Sequence, residues 1–268
     1  MKLSVFLDHL LHAQEQSGKS LEEIFQLIKE WGITALELEG SYVYNNPAII
    51  EKIKAAGLKV SSIYETHNFP NSLDFTSAKK HIDLAKELGA KSILVIPGFF
   101  SQEEADLYDG LYDYEKTAEL MSNSKACKNI VEMLIKCVEY GKTQGVTITL
   151  EDYDGYTSPC SHTYQLLWFM EKVPGLKHSF DTGNFAFSGE DNAPAFDLLH
   201  KYIAHFHCKD RLENLECPPV GYGKMNIKSF VEKVKALGYD DYLAIEHFGV
   251  SPQLEYIQKS AEFLRQFL

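Results

Sequence analysis

The strongest constraint on the fold is an apolar, strand-like run that recurs eight times along the chain, with helical patterns between the repeats. The runs are short, and several are rich in β-branched or aromatic residues, as buried parallel strands are. They cover residues 3–7, 35–38, 59–64, 92–96, 146–150, 177–180, 203–207 and 242–246. Eight strands that alternate with helices favour a closed parallel barrel, so we predict an α/β fold, a (β/α)8 TIM barrel.

Helix boundaries support the repeating unit. Leu21, Ile24 and Ile28 recur at helical spacing behind Ser20, and Glu23 stands where a capping box needs it. Glycines end several helices just before the next strand, as helix C-caps do: Gly32, Gly57, Gly89, Gly145 and Gly238. No linker divides the 268 residues, so we predict one domain over 1–268. The competing open, doubly wound sheet lacks a GxGxxG or P-loop after its first strand.

Composition limits the partners and the compartment. The formal charge is −12 and no Lys/Arg cluster is present, which argues against nucleic acid and against a membrane surface. Five cysteines without a CxxC spacing indicate reduced thiols and a cytoplasmic protein. No stretch reaches the length of a membrane span. Two long segments, 98–124 and 211–224, each follow a strand end and are expected on the rim where barrel enzymes carry their sites.

Four chemically matched residues stand at the ends of four successive runs. Glu151, Asp181, His207 and Glu246 each close an apolar stretch, which is an odd way to build a core. In a barrel these runs are strands five to eight, which are neighbours, and all strands end at one face. Three carboxylates and one imidazole suit a divalent cation, so we predict a metal site. Each residue taken alone is better explained as an ordinary rim or turn residue, and the metal site is predicted from the four together.

The motifs around these residues carry a family resemblance across nearly the whole chain. They are Leu150-Glu151, Phe180-Asp181-Thr182-Gly183-Asn184, His205-Phe206-His207-Cys208-Lys209-Asp210, Gly221-Tyr222-Gly223 and Ala244-Ile245-Glu246. The chain resembles the xylose isomerase-like TIM barrel superfamily, especially its sugar phosphate isomerase/epimerase branch. That branch includes tagatose 3-epimerase-like enzymes, hydroxypyruvate isomerases and inosose dehydratases.

The resemblance implies one divalent ion, Mn, Mg, Co or Zn, held by Glu151, Asp181, His207 and Glu246. It also implies that Glu151 and Glu246 are the catalytic acid/base pair of an isomerase or epimerase acting on a small ketose, sugar or sugar phosphate. The proton would move through a metal-stabilised enediolate, because a cation on the carbonyl and hydroxyl oxygens stabilises that charge. The expected partner is therefore a small sugar or polyol, and a homo-oligomer stays open.

Four further residues are predicted to bind substrate: Asn184, Lys209, Arg211 and His67. Many relatives carry histidine where this chain has Asn184, and an amide bonds a hydroxyl but does not titrate. Lys209 lies two residues beyond His207, on the same side of the strand, and a rim salt bridge is its equal alternative. Arg211 could reach a substrate oxygen, whereas His67 is equally a loop residue after the third strand.

Three other functions compete with the isomerase or epimerase. An inosose dehydratase-like lyase would use the same barrel and ion but expel water. An endonuclease IV-like DNA repair enzyme shares the barrel, but Asn184 and the net charge of −12 argue against it. A non-catalytic barrel used for binding is disfavoured by the intact set of four ligands.

Overall fold

The computed structural model describes all residues, 1–268, and contains eight β-strands. Their ends lie within one or two residues of the predicted runs. The strands are β1 Lys2–Phe6, β2 Ile33–Glu39, β3 Lys59–Thr66, β4 Ser92–Ile96, β5 Thr147–Glu151, β6 Lys177–Asp181, β7 Ile203–Cys208 and β8 Tyr242–Ile245. Glu246 is thus the first residue after β8, and Cys208 extends β7 by one residue.

Twelve α-helices separate the strands. They are α1 Leu7–Ser17, α2 Leu21–Glu30, α3 Gly40–Asn45, α4 Ala48–Ala55, α5 Thr76–Leu88, α6 Gln102–Ala105, α7 Tyr114–Asn123, α8 Lys125–Gln144, α9 Thr163–Lys172, α10 Asn192–Leu199, α11 Ile227–Ala236 and α12 Gln253–Leu264. Three 3-10 helices cover Phe185–Ser188, His200–Tyr202 and Arg265–Phe267. None of the helices has the length and apolarity needed to cross a membrane.

The strands pair in chain order and close into a parallel barrel, which confirms the predicted fold class and excludes the open sheet. β8 pairs with β1 through Lys2 opposite Tyr242, and this pairing completes the ring. β5 pairs with β6 so that Glu151 stands opposite Ser179, two residues before Asp181. β7 pairs with β8 with His207 opposite Ala244, two residues before Glu246. The predicted site residues therefore end neighbouring strands.

The internal contacts of the chain fall into two compact units. The first comprises Met1–Ile63, Asp181–Gly183 and His205–Leu268, and the second Tyr64–Phe180 and Asn184–Ala204. In the first, β1, β2 and β8 present buried apolar side chains such as Leu3, Ile33 and Leu243. In the second, α5 and α8 cover β4 and β5. The single domain over 1–268 stays a prediction.

Local sequence explains how the helices begin and end. Ser20 accepts a hydrogen bond from the Glu23 amide while the Glu23 carboxylate accepts one from the Ser20 amide, which confirms the capping box. Gly89 and Gly145 end α5 and α8 at positive φ, where a side chain would be strained. The segment 98–124 forms α6 and α7. Residues 211–224 contain no helix or strand.

Candidate metal centre

The ends of β6, β7 and β8 are tied together by backbone hydrogen bonds. The Thr182 amide donates to the His207 carbonyl oxygen at 3.2 Å, and the Glu246 amide donates to the Cys208 carbonyl oxygen at 3.1 Å. These bonds extend the strand ladder one step past β6 and β8. The side chains of Asp181, His207 and Glu246 consequently have fixed backbones beneath them, and each is at least nine-tenths buried.

Ligand atoms of three predicted metal ligands, all in the first unit, lie close together. One atom each from Asp181, His207 and Glu246 lies within 4.8 Å of the other two. Glu151 ends β5 in the second unit, and its place in the metal site stays a prediction. The Oε2 atom of Glu246 is buried, accepts no hydrogen bond, and lies 3.1 Å from Nδ1 of His207. Two ligands at about 2.1 Å from one ion and at a right angle are about 3 Å apart. The donor set and this spacing fit a divalent cation.

Behind His207 lies a carboxylate that the sequence interpretation did not include in the site. Glu37, in the middle of β2, is fully buried, and its Oε2 lies 3.3 Å from Nε2 of His207. Its other oxygen, Oε1, contacts Nε2 of His205. A carboxylate at the second ring nitrogen is how proteins orient metal-ligating histidines. With Glu37 at Nε2, the nitrogen of His207 that faces Glu246 is Nδ1.

Glu37, His205 and His207 form a second group with the spacing of metal ligands. Burial opposes ionisation of Glu37, but the charges and hydrogen bonds of His205 and His207 hold its pKa at about 2. One oxygen of Glu37 is already occupied by His205. We therefore interpret Glu37 and His205 as residues that hold the ring of His207 in place, and not as a second metal site. His205 is itself buried, and Glu37 is its partner.

Lys209 places a positive charge beside the cluster. Its Nζ lies 2.5 Å from Oε1 of Glu246 and 3.9 Å from Oδ2 of Asp181, and the side chain is almost fully buried. Burial opposes ionisation of Glu246, yet the charges of Lys209 and His207 hold the pKa of its carboxyl well below the usual range. Glu246 is therefore a carboxylate at neutral pH, with one oxygen held by Lys209 and the other facing His207.

The backbone around Lys209 is fixed by the Asp-Thr-Gly turn after β6. The Thr182 hydroxyl donates to the Lys209 carbonyl oxygen at 2.8 Å and accepts from the Lys209 amide at 3.0 Å. The Gly183 amide donates to Oδ1 of Asp181 at 2.7 Å. A Cβ on Gly183 would lie 2.8 Å from the Lys209 side chain and 2.9 Å from its carbonyl oxygen. Glycine is required here because the two strand ends approach so closely.

Asp210 organises the long loop that follows β7. Its carboxylate accepts four backbone hydrogen bonds of 2.9–3.0 Å, from the amides of Arg211, Gly221, Gly223 and Met225. A Cβ on Gly223 would lie 2.3 Å from the Asp210 carboxylate, which explains the second glycine of the Gly-Tyr-Gly motif. The His-x-Lys-Asp motif thus combines a candidate ligand, a lysine beside the cluster and a loop anchor.

The remaining predicted substrate residues have varied surroundings. Arg211 is buried and donates to the carbonyl oxygens of Gly183 and Leu215 and to Sγ of Cys217. Asn184 is buried at the start of the 3-10 helix Phe185–Ser188, in the second unit. His67 directly follows β3 and is buried against Phe69, also in the second unit. Their roles toward a substrate stay predictions.

Two more histidines beside the cluster were missed. His9, at the start of α1, is fully buried, and its Nε2 accepts the backbone amide of His247 at 2.9 Å. The two rings stack 5.0 Å apart. Burial lowers the pKa of both, to about 4 for His247, so both are neutral at physiological pH. Their positions in the sequence could have indicated them, because His9 follows the end of β1 and His247 follows Glu246.

A closed barrel whose strand ends carry carboxylates and a carboxylate-supported histidine defines a class, the TIM barrels with a candidate metal centre on their rim. The model of the xylose isomerase-like TIM barrel family matches residues 25–267, and the chain belongs to that family. This confirms the resemblance inferred from the strand-end motifs.

Individual relatives are distant. The chain is 20% identical to an inosose dehydratase of Mesomycoplasma hyopneumoniae strain J, over 93% of this chain and 89% of that protein. Its fold is similar to that of a probable 3-DHS dehydratase, AsbF, from Bacillus anthracis, with a TM-score of 0.73, 18% identity and 99% of each chain covered. A D-tagatose 3-epimerase-like protein gives a TM-score of 0.71 at 22% identity, covering 100% of this chain and 97% of that one.

Proposed function

We propose that the protein is a divalent-metal-dependent isomerase or epimerase of a small ketose, sugar or sugar phosphate. The observation that carries this proposal is the Glu246 carboxylate, buried and ionised, with Oε2 at 3.1 Å from His207 Nδ1 and Oε1 at 2.5 Å from Lys209 Nζ. Family membership supports it, as does the relative titled a D-tagatose 3-epimerase-like protein. The five free cysteines support a reducing, cytoplasmic location.

In this proposal Glu151, Asp181, His207 and Glu246 hold the cation, and Glu37 keeps the His207 ring in place. A bound divalent cation would stabilise negative charge on substrate oxygens when a neighbouring carbon loses its proton. Glu246 is the proposed acceptor of that proton, because it is an ionised carboxylate at neutral pH. Glu151, as the protonated carboxyl group of the pair, gives a proton back to carbon and becomes a carboxylate. Lys209, Arg211, Asn184 and His67 are the proposed substrate contacts.

The alternative is a dehydratase, and it fits about equally well. Its support is the relative named inosose dehydratase, together with the ammonium group of Lys209 beside Glu246. In that reaction Glu246 removes the proton and Lys209 donates a proton to the departing hydroxyl oxygen, so that one water leaves. The two reactions share their first step and differ in whether the hydroxyl on the adjacent carbon is retained.

One experiment tests both reactions. The protein is incubated in deuterated water with Mn, Mg, Co or Zn and a panel of ketoses, sugar phosphates and inososes, and the products are followed by NMR and mass spectrometry. An isomerase or epimerase incorporates deuterium and keeps all oxygens, whereas a dehydratase product lacks one water. We expect Glu246→Gln to slow turnover about 100- to 10,000-fold, the contribution of a positioned acid or base.

The matched control is Glu103→Gln, which removes an exposed carboxylate from α6 and is expected to leave turnover unchanged. Full turnover by Glu246→Gln would disprove the assignment of the base. Turnover that persists in chelator would disprove the requirement for metal.

A further inference from the structure

The second unit contains a cavity of about 310 Å³ that uses none of the candidate metal ligands. It lies among the loop after β5, the start of α9, the segment after α6 and the 3-10 helix Phe185–Ser188. Aromatic and polar side chains line it, among them Tyr108, Tyr156, His162, Gln165 and Phe187. Small-molecule sites start at about 300 Å³, so this volume suits a single small ring.

An imidazole–carboxylate pair forms one wall of the cavity. Nδ1 of His162 lies 2.7 Å from Oε1 of Glu190, and Oε2 of Glu190 accepts the Thr163 amide at 3.1 Å. Glu190 also accepts the Thr163 hydroxyl. A neutral His162 ring that donates from Nδ1 to Glu190 has a lone pair on Nε2. That nitrogen is the natural acceptor for a ligand hydroxyl.

Gln165 supplies a complementary donor. Its side chain is 1% exposed, and its Oε1 accepts the His162 amide at 3.1 Å and the Ser161 hydroxyl at 3.4 Å. Because Oε1 is occupied in this way, the orientation of the amide is fixed and Nε2 remains to donate. The wall thus offers one acceptor and one donor, three residues apart at the start of α9. A hydroxyl group can use both.

Two aromatic side chains at the cavity are unusually exposed. Tyr156 is 52% and Phe187 is 50% exposed, although both are large and apolar. The Tyr156 hydroxyl donates to Oδ1 of Asp106 at 2.8 Å, which restrains its ring. Aromatic faces beside a few directed polar groups are the usual composition of a small-molecule site. Such faces can cover the C–H surface of a saturated ring.

The charges around the cavity exclude an anionic ligand. No lysine or arginine lines it, whereas Asp109 does and Glu190 stands directly behind His162. A phosphate or carboxylate would meet the negative charges of Asp109 and Glu190 there and no lysine or arginine. The chemistry that fits is neutral, with hydroxyls on the edge of a ring and C–H groups on its faces.

We propose that this cavity is a binding site for a neutral polyhydroxylated ring, a pyranose or a cyclitol. His162 Nε2 accepts from a ring hydroxyl, Gln165 Nε2 donates to it, and Tyr156 and Phe187 cover the ring faces. The inference is independent of the proposed function, because none of these residues belongs to the candidate metal centre.

The test is a titration with two separate probes, methyl α-D-glucopyranoside and myo-inositol, followed by saturation-transfer NMR. The protein is treated with chelator, and His207→Asn is titrated in parallel, so that binding at a metal centre does not contribute. We expect saturable binding of at least one probe in both samples. Phe187→Ala and His162→Gln are expected to weaken it at least tenfold.

The matched control is Phe99→Ala, which removes another exposed ring of the second unit, one that does not line the cavity. It is expected to bind like the unaltered protein. The proposal is overturned if neither probe binds saturably, if Phe187→Ala and His162→Gln both bind normally, or if Phe99→Ala weakens binding as much as they do. Absence of turnover by the unaltered protein in the deuterated-water experiment, with this binding intact, would contradict the proposed function alone.

Discussion

Two buried histidines at strand ends, one in each unit, have opposite surroundings. His207 in β7 lies between two carboxylates, with Glu246 at 3.1 Å from Nδ1 and Glu37 at 3.3 Å from Nε2. His67 after β3 lies between a histidine and a serine, with His81 and Ser77 each at 3.3 Å. Burial is similar, so the partners decide what each ring can do.

The difference concerns charge. A ring between two ionised carboxylates sits in a negative field that a cation can neutralise. His67 has no such partner, its ring stacks on Phe69, and burial lowers its pKa to about 4. It therefore stays neutral and packs the loop against α5. A histidine at a strand end indicates a metal site only when carboxylates converge on it.

The largest expected contrast is in metal affinity. His207→Gln removes a proposed ligand and should weaken Mn or Zn binding by more than about 100-fold, because losing even an outer partner costs about 10–100-fold. His67→Gln should bind metal like the unaltered protein. Isothermal titration of chelator-treated protein measures both. Equal loss in the two variants would show that the carboxylates around His207 do not make it a ligand.

A smaller loss of metal affinity is expected when Glu37, which contacts the ring of His207, is changed. Glu37→Gln keeps the shape of the side chain but removes the charge behind His207 and His205. We expect metal affinity to fall about 10–100-fold while the donor set stays intact. Glu39→Gln, at the half-buried end of the same strand, is the matched control. Unchanged affinity in Glu37→Gln would mean that His207 needs no carboxylate at Nε2.

Most of the barrel could be predicted from the sequence because each strand is a short apolar run bounded by glycine or a polar residue. The four strand-end residues could be predicted for the same reason, since a carboxylate that ends an apolar run stands out. Glu37 does not end its run. It lies inside β2, between Leu36 and Leu38, where alternation suggests an ordinary outward-facing residue. Only the fold shows that its side chain is fully buried and faces His207.

The loop after β7 was harder to predict. Its conformation depends on Asp210 accepting amides 11 to 15 residues ahead, at Gly221, Gly223 and Met225, and no local pattern encodes such bonds. The same holds for the cavity beside His162. The carboxylate of Glu190 that orients the His162 ring lies 28 residues along the chain, so no local pattern connects the two residues.

The smallest expected effect is on the free energy of unfolding, and it comes from His67 alone. Its ring takes up a proton near pH 6.5 in the unfolded chain but only near pH 4 in the folded protein. Between these values the unfolded state binds more protons, so stability falls as the pH falls. From pH 7 to pH 5 the protonation of this one group should lower the free energy of unfolding by about 2 kcal/mol.

Urea unfolding at both pH values measures this change. The free energy of unfolding should therefore fall less between pH 7 and pH 5 in His67→Gln than in the unaltered protein. His12→Gln, which removes an exposed histidine, should keep the full loss. An identical pH dependence in His67→Gln would mean that the pKa of His67 is the same in the folded and unfolded states, and the contrast with His207 would then no longer hold.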